Sequence, residues 1–127
     1  MTSPCQLVVA IVDDEESVRR ALERLLRSAG MIVRVFATGS EFLEDFQNSR
    51  PDCLVIDLHM PEMSGFEIMG RLCGRLPFVV ITGQDSPEAE MRSVGAGAGA
   101  YLRKPVNDLV LIEAIRSAIA RALPPAF

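Results

Sequence analysis

The chain is poor in the features that mark disulfide-rich, zinc-binding or membrane-spanning proteins. Its three cysteines are odd in number and lack the spacing of zinc ligands, so we expect reduced thiols rather than a disulfide framework. The longest uninterrupted apolar stretch, residues 7–12, is far too short to cross a bilayer. The N-terminus also lacks the basic start and the longer apolar region of a signal peptide. We therefore expect a soluble protein of the cytoplasm that does not associate with membranes.

Positive charge is also scarce in this chain. The formal net charge is -4 and no run of lysine or arginine appears, so we expect no direct binding of nucleic acid by this segment. With 127 residues, of which 49% are hydrophobic and 24% charged, the composition is that of one globular domain. We place this domain over residues 1–127, with its core at about 6–123, and predict no output domain within it.

Short apolar runs alternate with longer segments of helical periodicity, a pattern typical of a parallel sheet covered by helices on both faces. The predicted strands cover residues 7–12, 32–36, 53–56, 78–81 and 100–102. Five such units joined by right-handed crossovers predict a doubly wound α/β domain. Its five-stranded parallel sheet is expected to be flavodoxin-like, with strand order 2-1-3-4-5 and five helices on its two faces.

Residues that start and stop helices separate these strands. The signals are Gly30 as a stop for the first helix, Thr38 with Glu41 and Ser64 with Glu67 as capping boxes, Ser86 before Pro87, and Asn107 as a cap. The fifth helix should run to about Leu123, before two prolines. Glycines near the end of the fourth helix make it the element that we expect to be most mobile.

Five polar residues stand where predicted strands end, and these ends share one edge of the sheet. They are Asp13, Asp14, Asp57, Thr82 and Lys104. Any one polar residue after a strand indicates only a turn. In a doubly wound sheet, however, functional groups gather beyond the carboxyl ends of the strands, and this combination of residue types is unusual.

These residue types predict metal-assisted phosphoryl chemistry. Three crowded carboxylates repel one another, and a hard divalent cation such as Mg²⁺ or Mn²⁺ relieves that repulsion. Asp57 can then act as a nucleophile toward phosphorus, since a carboxylate forms a mixed anhydride. Lys104 supplies a fixed positive charge, and the Thr82 hydroxyl can donate a hydrogen bond that exists only when a phosphoryl group is present.

Four ordered motifs resemble the receiver domains of two-component response regulators, and they span nearly the whole chain. They are Val12-Asp13-Asp14, Asp57-Leu58-His59-Met60-Pro61 through Gly65, Ile81-Thr82-Gly83 and Lys104-Pro105. Each motif alone is weak, but the ordered set is specific. The resemblance implies that Asp57 accepts a phosphoryl group from the phosphohistidine of a histidine kinase or phosphotransfer protein. It implies a signalling module of a phosphorelay and not an enzyme with a substrate of its own.

The same resemblance assigns roles around Asp57. It implies that Mg²⁺ is bound by Asp14, Asp57 and the backbone carbonyl of His59, while Asp13 acts mainly through a metal-bound water. Tyr101 stands at the family's switch position, although composition alone would favour an ordinary half-buried strand aromatic. The peptide bond from Lys104 to proline is one that can be cis at modest cost.

Three further features bear on rates and partners. The family varies the side chains at the positions of His59 and Gln84 to tune phosphorylation and hydrolysis. The fifth helix has more apolar residues than one buried face requires, so either a wide contact with the sheet or an exposed interface is expected. The family uses the fourth helix, fifth strand and fifth helix as an output surface, which would allow a phosphorylation-dependent homodimer.

Other functions fit the sequence less well. A phosphohydrolase of the haloacid dehalogenase type wants an acid two residues after the nucleophile, where His59 stands. A flavodoxin-like cofactor binder needs a hydroxyl-rich phosphate loop where this chain is acidic. We slightly favour a stand-alone receiver, and the close alternative is the N-terminal receiver of a regulator with a helix-turn-helix DNA-binding domain, because the segment 37–43 and the pattern after Ile81 resemble such proteins.

Overall fold

A computed structural model describes residues 6–122, in which five strands alternate with five helices. The strands are β1 (Val8–Val12), β2 (Ile32–Phe36), β3 (Cys53–Asp57), β4 (Phe78–Thr82) and β5 (Ala100–Arg103). The helices are α1 (Glu16–Ser28), α2 (Gly39–Phe46), α3 (Gly65–Leu72), α4 (Pro87–Gly95) and α5 (Asp108–Ala122). The predicted order of elements is confirmed. Leu123, the predicted last residue of the fifth helix, lies outside the described residues.

The five strands form one parallel sheet in the order β2-β1-β3-β4-β5, as predicted. All five residues of β3 and of β4 are buried, because helices cover both faces of the sheet centre. None of the helices within residues 6–122 has the length and apolar composition needed to cross a membrane.

Successive strand residues face opposite sides of the sheet, and this alternation builds two separate apolar cores. On one side, residues such as Val12, Ile56 and Val80 share a cluster with residues of α2, α3 and α4. On the other side, Ile11 and Val55 share a cluster with residues of α1 and α5. Helices therefore lie on both faces, two on one and three on the other.

The predicted caps hold the starts of four helices. Each cap side chain accepts a hydrogen bond from the backbone N–H three residues later: Thr38 from Glu41 at 3.1 Å, Ser64 from Glu67 at 3.3 Å, Ser86 from Ala89 at 3.0 Å and Asn107 from Val110 at 3.1 Å. Such a cap is worth about 1 kcal/mol. The Glu41 carboxylate accepts from the N–H of Ala37, one residue before the position expected in a capping box.

The predicted ends of β3, β4 and β5 were each one residue short. Asp57 pairs with Ile81, and Thr82 pairs with Arg103, so both polar residues belong to the ladder. The sequence prediction was wrong here because it took a polar side chain as the start of a loop. The consequence is that Asp57 and Thr82 are fixed by the hydrogen-bonded sheet rather than by a mobile turn.

Candidate functional site

Three carboxylates converge where β1 and β3 end side by side. Asp13, Asp14 and Asp57 each offer one oxygen, and these oxygens all lie within 4.8 Å of one another. Asp13 is fully buried, Asp57 is 4% exposed and Asp14 is exposed. The predicted cluster therefore forms, with two of its three charges largely removed from water.

The peptide around Asp13 is held in place from two directions. Its Oδ1 accepts a hydrogen bond from the N–H of Glu15 at 2.9 Å, and its backbone oxygen accepts from Nη1 of Arg19 at 2.7 Å. Its Oδ2 is buried and forms an ion pair with Nζ of Lys104 at 2.9 Å, although no well-aligned hydrogen bond reaches it within the part of the chain that the structure describes. The Asp13 carboxylate is therefore held by one hydrogen bond and one ion pair.

Lys104, the only lysine of the chain, brings a positive charge to this cluster. Its Nζ lies 2.9 Å from Oδ2 of Asp13, 3.1 Å from Oε1 of Glu15 and 3.6 Å from Oδ2 of Asp57. The side chain is only 15% exposed. Burial lowers the pKa of Lys104, but the carboxylates of Asp13 and Glu15 outweigh burial, so the net shift is upward and the ammonium stays charged.

One ammonium does not balance this site. Burial, followed by the charge of Asp13, raises the pKa of Asp57 to about 6 despite the opposing effect of Lys104. The site thus holds an excess of negative charge in a place with little solvent screening. Oxygen ligands of this kind fit a hard divalent cation such as Mg²⁺ or Mn²⁺, so the residues present are compatible with the predicted metal.

The start of α3 lies directly against the backbone at the end of β3. The N–H of Gly65 donates to the carbonyl of Leu58 at 3.0 Å. A Cβ atom at Gly65 would stand 2.7 Å from the carbonyl oxygen of Asp57 and 2.9 Å from Cα of Leu58. Glycine is therefore required here by space, because any side chain would displace the residue that carries the central carboxylate.

The hydroxyl of Thr82, a predicted group of the site, is hydrogen-bonded to the backbone of Gln84 two residues later. Thr82 is fully buried at the end of β4, and its Oγ1 accepts from the N–H of Gln84 at 3.0 Å and donates to the Gln84 carbonyl at 3.2 Å. The backbone carbonyl of Thr82 accepts from the N–H of Lys104 at 2.8 Å. The Lys104–Pro105 peptide bond is cis.

Tyr101 and His59 have different surroundings. Tyr101 is half-buried in β5 beside the apolar cluster under α4, and its hydroxyl donates to Oδ1 of Asp85 at 3.0 Å. His59 stands two residues after the end of β3; its side chain is exposed, while its backbone hydrogen-bonds Asp57. Through its hydrogen bond to Asp85, Tyr101 connects β5 to the loop between β4 and α4.

Three residues of the site went unnoticed in the sequence. Glu15 shares Lys104, Arg19 holds the Asp13 backbone, and Asp85 binds Tyr101. Glu15 extends an acidic run and could have been included on that basis. Arg19 and Asp85 give no local signal, because their partners are brought to them only by tertiary packing.

Comparison with known proteins identifies relatives of this chain. The family model described as response regulator receiver domain matches residues 9–116. The chain is 36% identical over 118 residues to the response regulator protein TodT of Pseudomonas putida, covering 91% of this chain and 52% of that protein. It is 40% identical over 113 residues to the transcriptional regulatory protein FixJ of Rhizobium meliloti, covering 87% of this chain and 55% of FixJ.

Comparison with solved structures indicates the same family. A response regulator receiver protein from Burkholderia phymatum superimposes with a TM-score of 0.82 at 39% identity, covering 91% of this chain and 96% of that one. The chain spans about half the length of the curated relatives it matches.

Proposed function

Since this chain belongs to the response regulator receiver family, we propose that Asp57 accepts a phosphoryl group from the phosphohistidine of a histidine kinase or phosphotransfer protein. Members of this family are signalling modules of two-component systems. The observation that carries the proposal is the convergence of the buried carboxylate of Asp57, two further carboxylates and the ammonium of Lys104 at one edge of the sheet.

The proposed reaction is a single transfer. A carboxylate oxygen of Asp57 forms a bond to phosphorus, the bond from phosphorus to the histidine nitrogen breaks, and its electron pair stays on that nitrogen. The product is a mixed anhydride on Asp57. Lys104 balances the charge of the phosphoryl oxygens, because its Nζ already lies within 3.6 Å of Oδ2 of Asp57.

The proposed ligands of Mg²⁺ or Mn²⁺ are Asp14, Asp57 and the backbone carbonyl of His59, with Asp13 bound through a water. The clustering of carboxylate oxygens of Asp13, Asp14 and Asp57 within 4.8 Å of one another supports this assignment. When bound, the metal neutralises negative charge on the group being transferred.

We propose that the output surface consists of α4, β5 and α5. Four of its apolar side chains are exposed: Met91 and Val94 on α4, and Leu109 and Val110 on α5. Leu109 is 77% exposed, so the apolar surface of α5 is not entirely covered by the sheet, which supports this proposal. Thr82 and Tyr101 connect this surface to Asp57, and a phosphorylation-dependent homodimer is the partner that such an apolar surface suits.

Two residues are proposed to tune the lifetime of the phosphoryl group. His59 is exposed two residues after Asp57, and the backbone N–H of Gln84 donates a hydrogen bond to Thr82. Both positions border the approach to Asp57, so their side chains can influence the entry of water.

The test is incubation with acetyl phosphate and Mg²⁺, followed by intact mass. We expect one phosphoryl adduct on the wild type and on the control E62Q, whose carboxylate is exposed on the loop after β3, and none on D57N or with chelator. D14N should need about tenfold more Mg²⁺ for the same yield, because one ligand charge is lost. An adduct of equal yield on D57N would show that Asp57 is not the acceptor. Repeated turnover of a phosphate ester would instead favour the phosphohydrolase.

A second candidate is a receiver that controls an attached DNA-binding domain. The relatives favour it, because this chain spans about half their length and FixJ is named a transcriptional regulatory protein. The stand-alone receiver, with its domain at residues 1–127 and its core at about 6–123, stays our prediction, as does the absence of direct nucleic acid binding by this domain. The complete reading frame distinguishes the two candidates.

A further inference from the structure

Asp85 occupies the loop between β4 and α4 and is bound by two side chains of β5. Its Oδ1 accepts from the hydroxyl of Tyr101 at 3.0 Å, and its Oδ2 lies 2.7 Å from Nε of Arg103. Tyr101 and Arg103 are two residues apart on one strand, so their side chains emerge on the same face. One carboxylate therefore ties the loop to the strand through both of its oxygens.

The same loop is also tied to the end of β4. Gln84, the residue before Asp85, is bonded through its backbone N–H and carbonyl to Oγ1 of Thr82. A Thr82 hydroxyl that turns to donate to a phosphoryl oxygen on Asp57 has to leave the Gln84 carbonyl. The loop then loses one of its two hydrogen bonds to the Thr82 hydroxyl, at the residue next to Asp85.

We propose that Asp85 is a positioning residue that holds Tyr101 in its outward, hydrogen-bonded position and thereby restrains the switch in the unphosphorylated protein. The inference rests on the proposed function, since the restraint matters only if Asp57 is phosphorylated. Loss of the hydrogen bond from Thr82 to the Gln84 carbonyl loosens the loop, Asp85 withdraws from Tyr101 and Arg103, and the phenol ring becomes free to turn inward.

The charges around Tyr101 agree with such a restraint. Burial, and then the hydrogen bond to Asp85, raises the pKa of the Tyr101 phenol, and the charge of Glu90 on α4 acts in the same direction. Arg103 is 70% exposed and Asp85 34%, so their ion pair orients the carboxylate and contributes little energy by itself. The expected effects are therefore at the lower end of those seen for coupled sites.

The chain has one tyrosine and no tryptophan, so the absorbance of tyrosinate reports on Tyr101 alone. The first measurement is a pH titration of that absorbance in wild type, D85A, D85N and the control E88Q, which removes an exposed acid three residues later. We expect D85A and D85N to titrate at lower pH than wild type, and E88Q to follow wild type. Equal titration of D85A and E88Q would overturn the contact.

The second measurement is the initial rate of Asp57 phosphorylation by limiting acetyl phosphate with saturating Mg²⁺. We expect D85A to react about five- to tenfold faster than wild type, because the restraint on the active conformation is gone. D85N keeps an acceptor for the phenol and loses the charge that orients it, so its rate should be intermediate. In a Y101F background, the D85A substitution should have no further effect.

These outcomes separate the inference from the function on which it rests. A wild-type protein that takes up no phosphoryl group contradicts the proposed function and the restraint together. A wild type that is phosphorylated at the same rate as D85A contradicts the restraint alone. If D85A accelerates the reaction equally with Tyr101 or Phe at position 101, Asp85 acts on the loop and not through the phenol, which also overturns the proposal.

Discussion

At the carboxyl edge of the sheet, β1 and β3 end in three carboxylates, whereas β4 and β5 end in polar groups that largely bond one another. In the first half, Oδ2 of Asp13 has only its ion pair with Lys104 within residues 6–122, and burial together with the charge of Asp13 raises the pKa of Asp57 to about 6. In the second half, Thr82 bonds Gln84 and Tyr101 bonds Asp85. We call these the acidic half and the bonded half.

The two halves therefore differ in how they respond to a bound group. A cation that enters the acidic half meets an excess of negative charge, so its binding relieves repulsion among the carboxylates. The bonded half has to break existing hydrogen bonds before it can respond. Lys104 belongs to both halves, since its backbone bonds Thr82 while its ammonium lies among the carboxylates.

The largest effect is expected when Lys104 is removed from the acidic half. K104M leaves the carboxylates of Asp13 and Asp57 buried without their cation, which should lower the free energy of unfolding by about 3 kcal/mol at neutral pH without metal. The measurement is urea unfolding, with R24M as a control on the exposed side of α1. Adding D13N to K104M should restore much of the loss. If K104M and R24M unfold alike, the two halves do not differ in charge balance.

A smaller effect of opposite sign is expected at Asp57. Its pKa in the folded protein, about 6, lies above the ordinary value of 3.8, so the folded state binds more protons than the unfolded chain between these values. Stability that is present below about pH 4 is therefore lost as the pH rises through 6. In chelator, D57N should be about 2 kcal/mol more stable than wild type at pH 7.5, and about equal to it at pH 4.

Thermal or urea unfolding at the two pH values checks this prediction, and Mg²⁺ should reduce the gap at pH 7.5 by stabilising only the wild type. A pH-independent gap would mean that D57N acts through packing rather than through charge.

The smallest effect is expected in the bonded half. T82V keeps the shape of a fully buried side chain but removes the oxygen that accepts from the N–H of Gln84. We expect a loss of about 1 kcal/mol in the free energy of unfolding, because a donor loses its partner. Urea unfolding of T82V beside T82S, which keeps the hydroxyl, measures the loss due to the oxygen. A stabilised T82V would contradict the distinction between the halves.

Much of this fold was predictable because the strands are short apolar runs and the helices start at side chains that cap them. Thr38 and Ser64 act as caps where the sequence placed them. The strand ends were less predictable, since the polarity of Asp57 suggests a loop while its pairing with Ile81 makes it a strand residue. Pairing across strands is a tertiary property that a local pattern does not contain.

The site was likewise predictable in part, because the sequence shows which polar residues stand at strand ends but not which tertiary contacts they make. Asp13, Asp14, Asp57 and Lys104 could be brought together from the rule that strand ends share an edge. Asp85 could not, because its partners lie on β5 and an acid before a helix is common. The requirement for glycine at position 65 likewise comes from the approach of α3 to β3.

The only lysine of the chain is enclosed by carboxylates, and this has a practical consequence for chemical labelling. Of the 13 basic side chains, Lys104 is the single target for amine-selective cross-linkers or immobilisation resins. Amine-selective reagents would either leave all side chains of the domain unmodified or modify Lys104 and inactivate the domain. Guanidine-selective reagents are therefore the better choice for mapping which surface of this domain a partner protein covers.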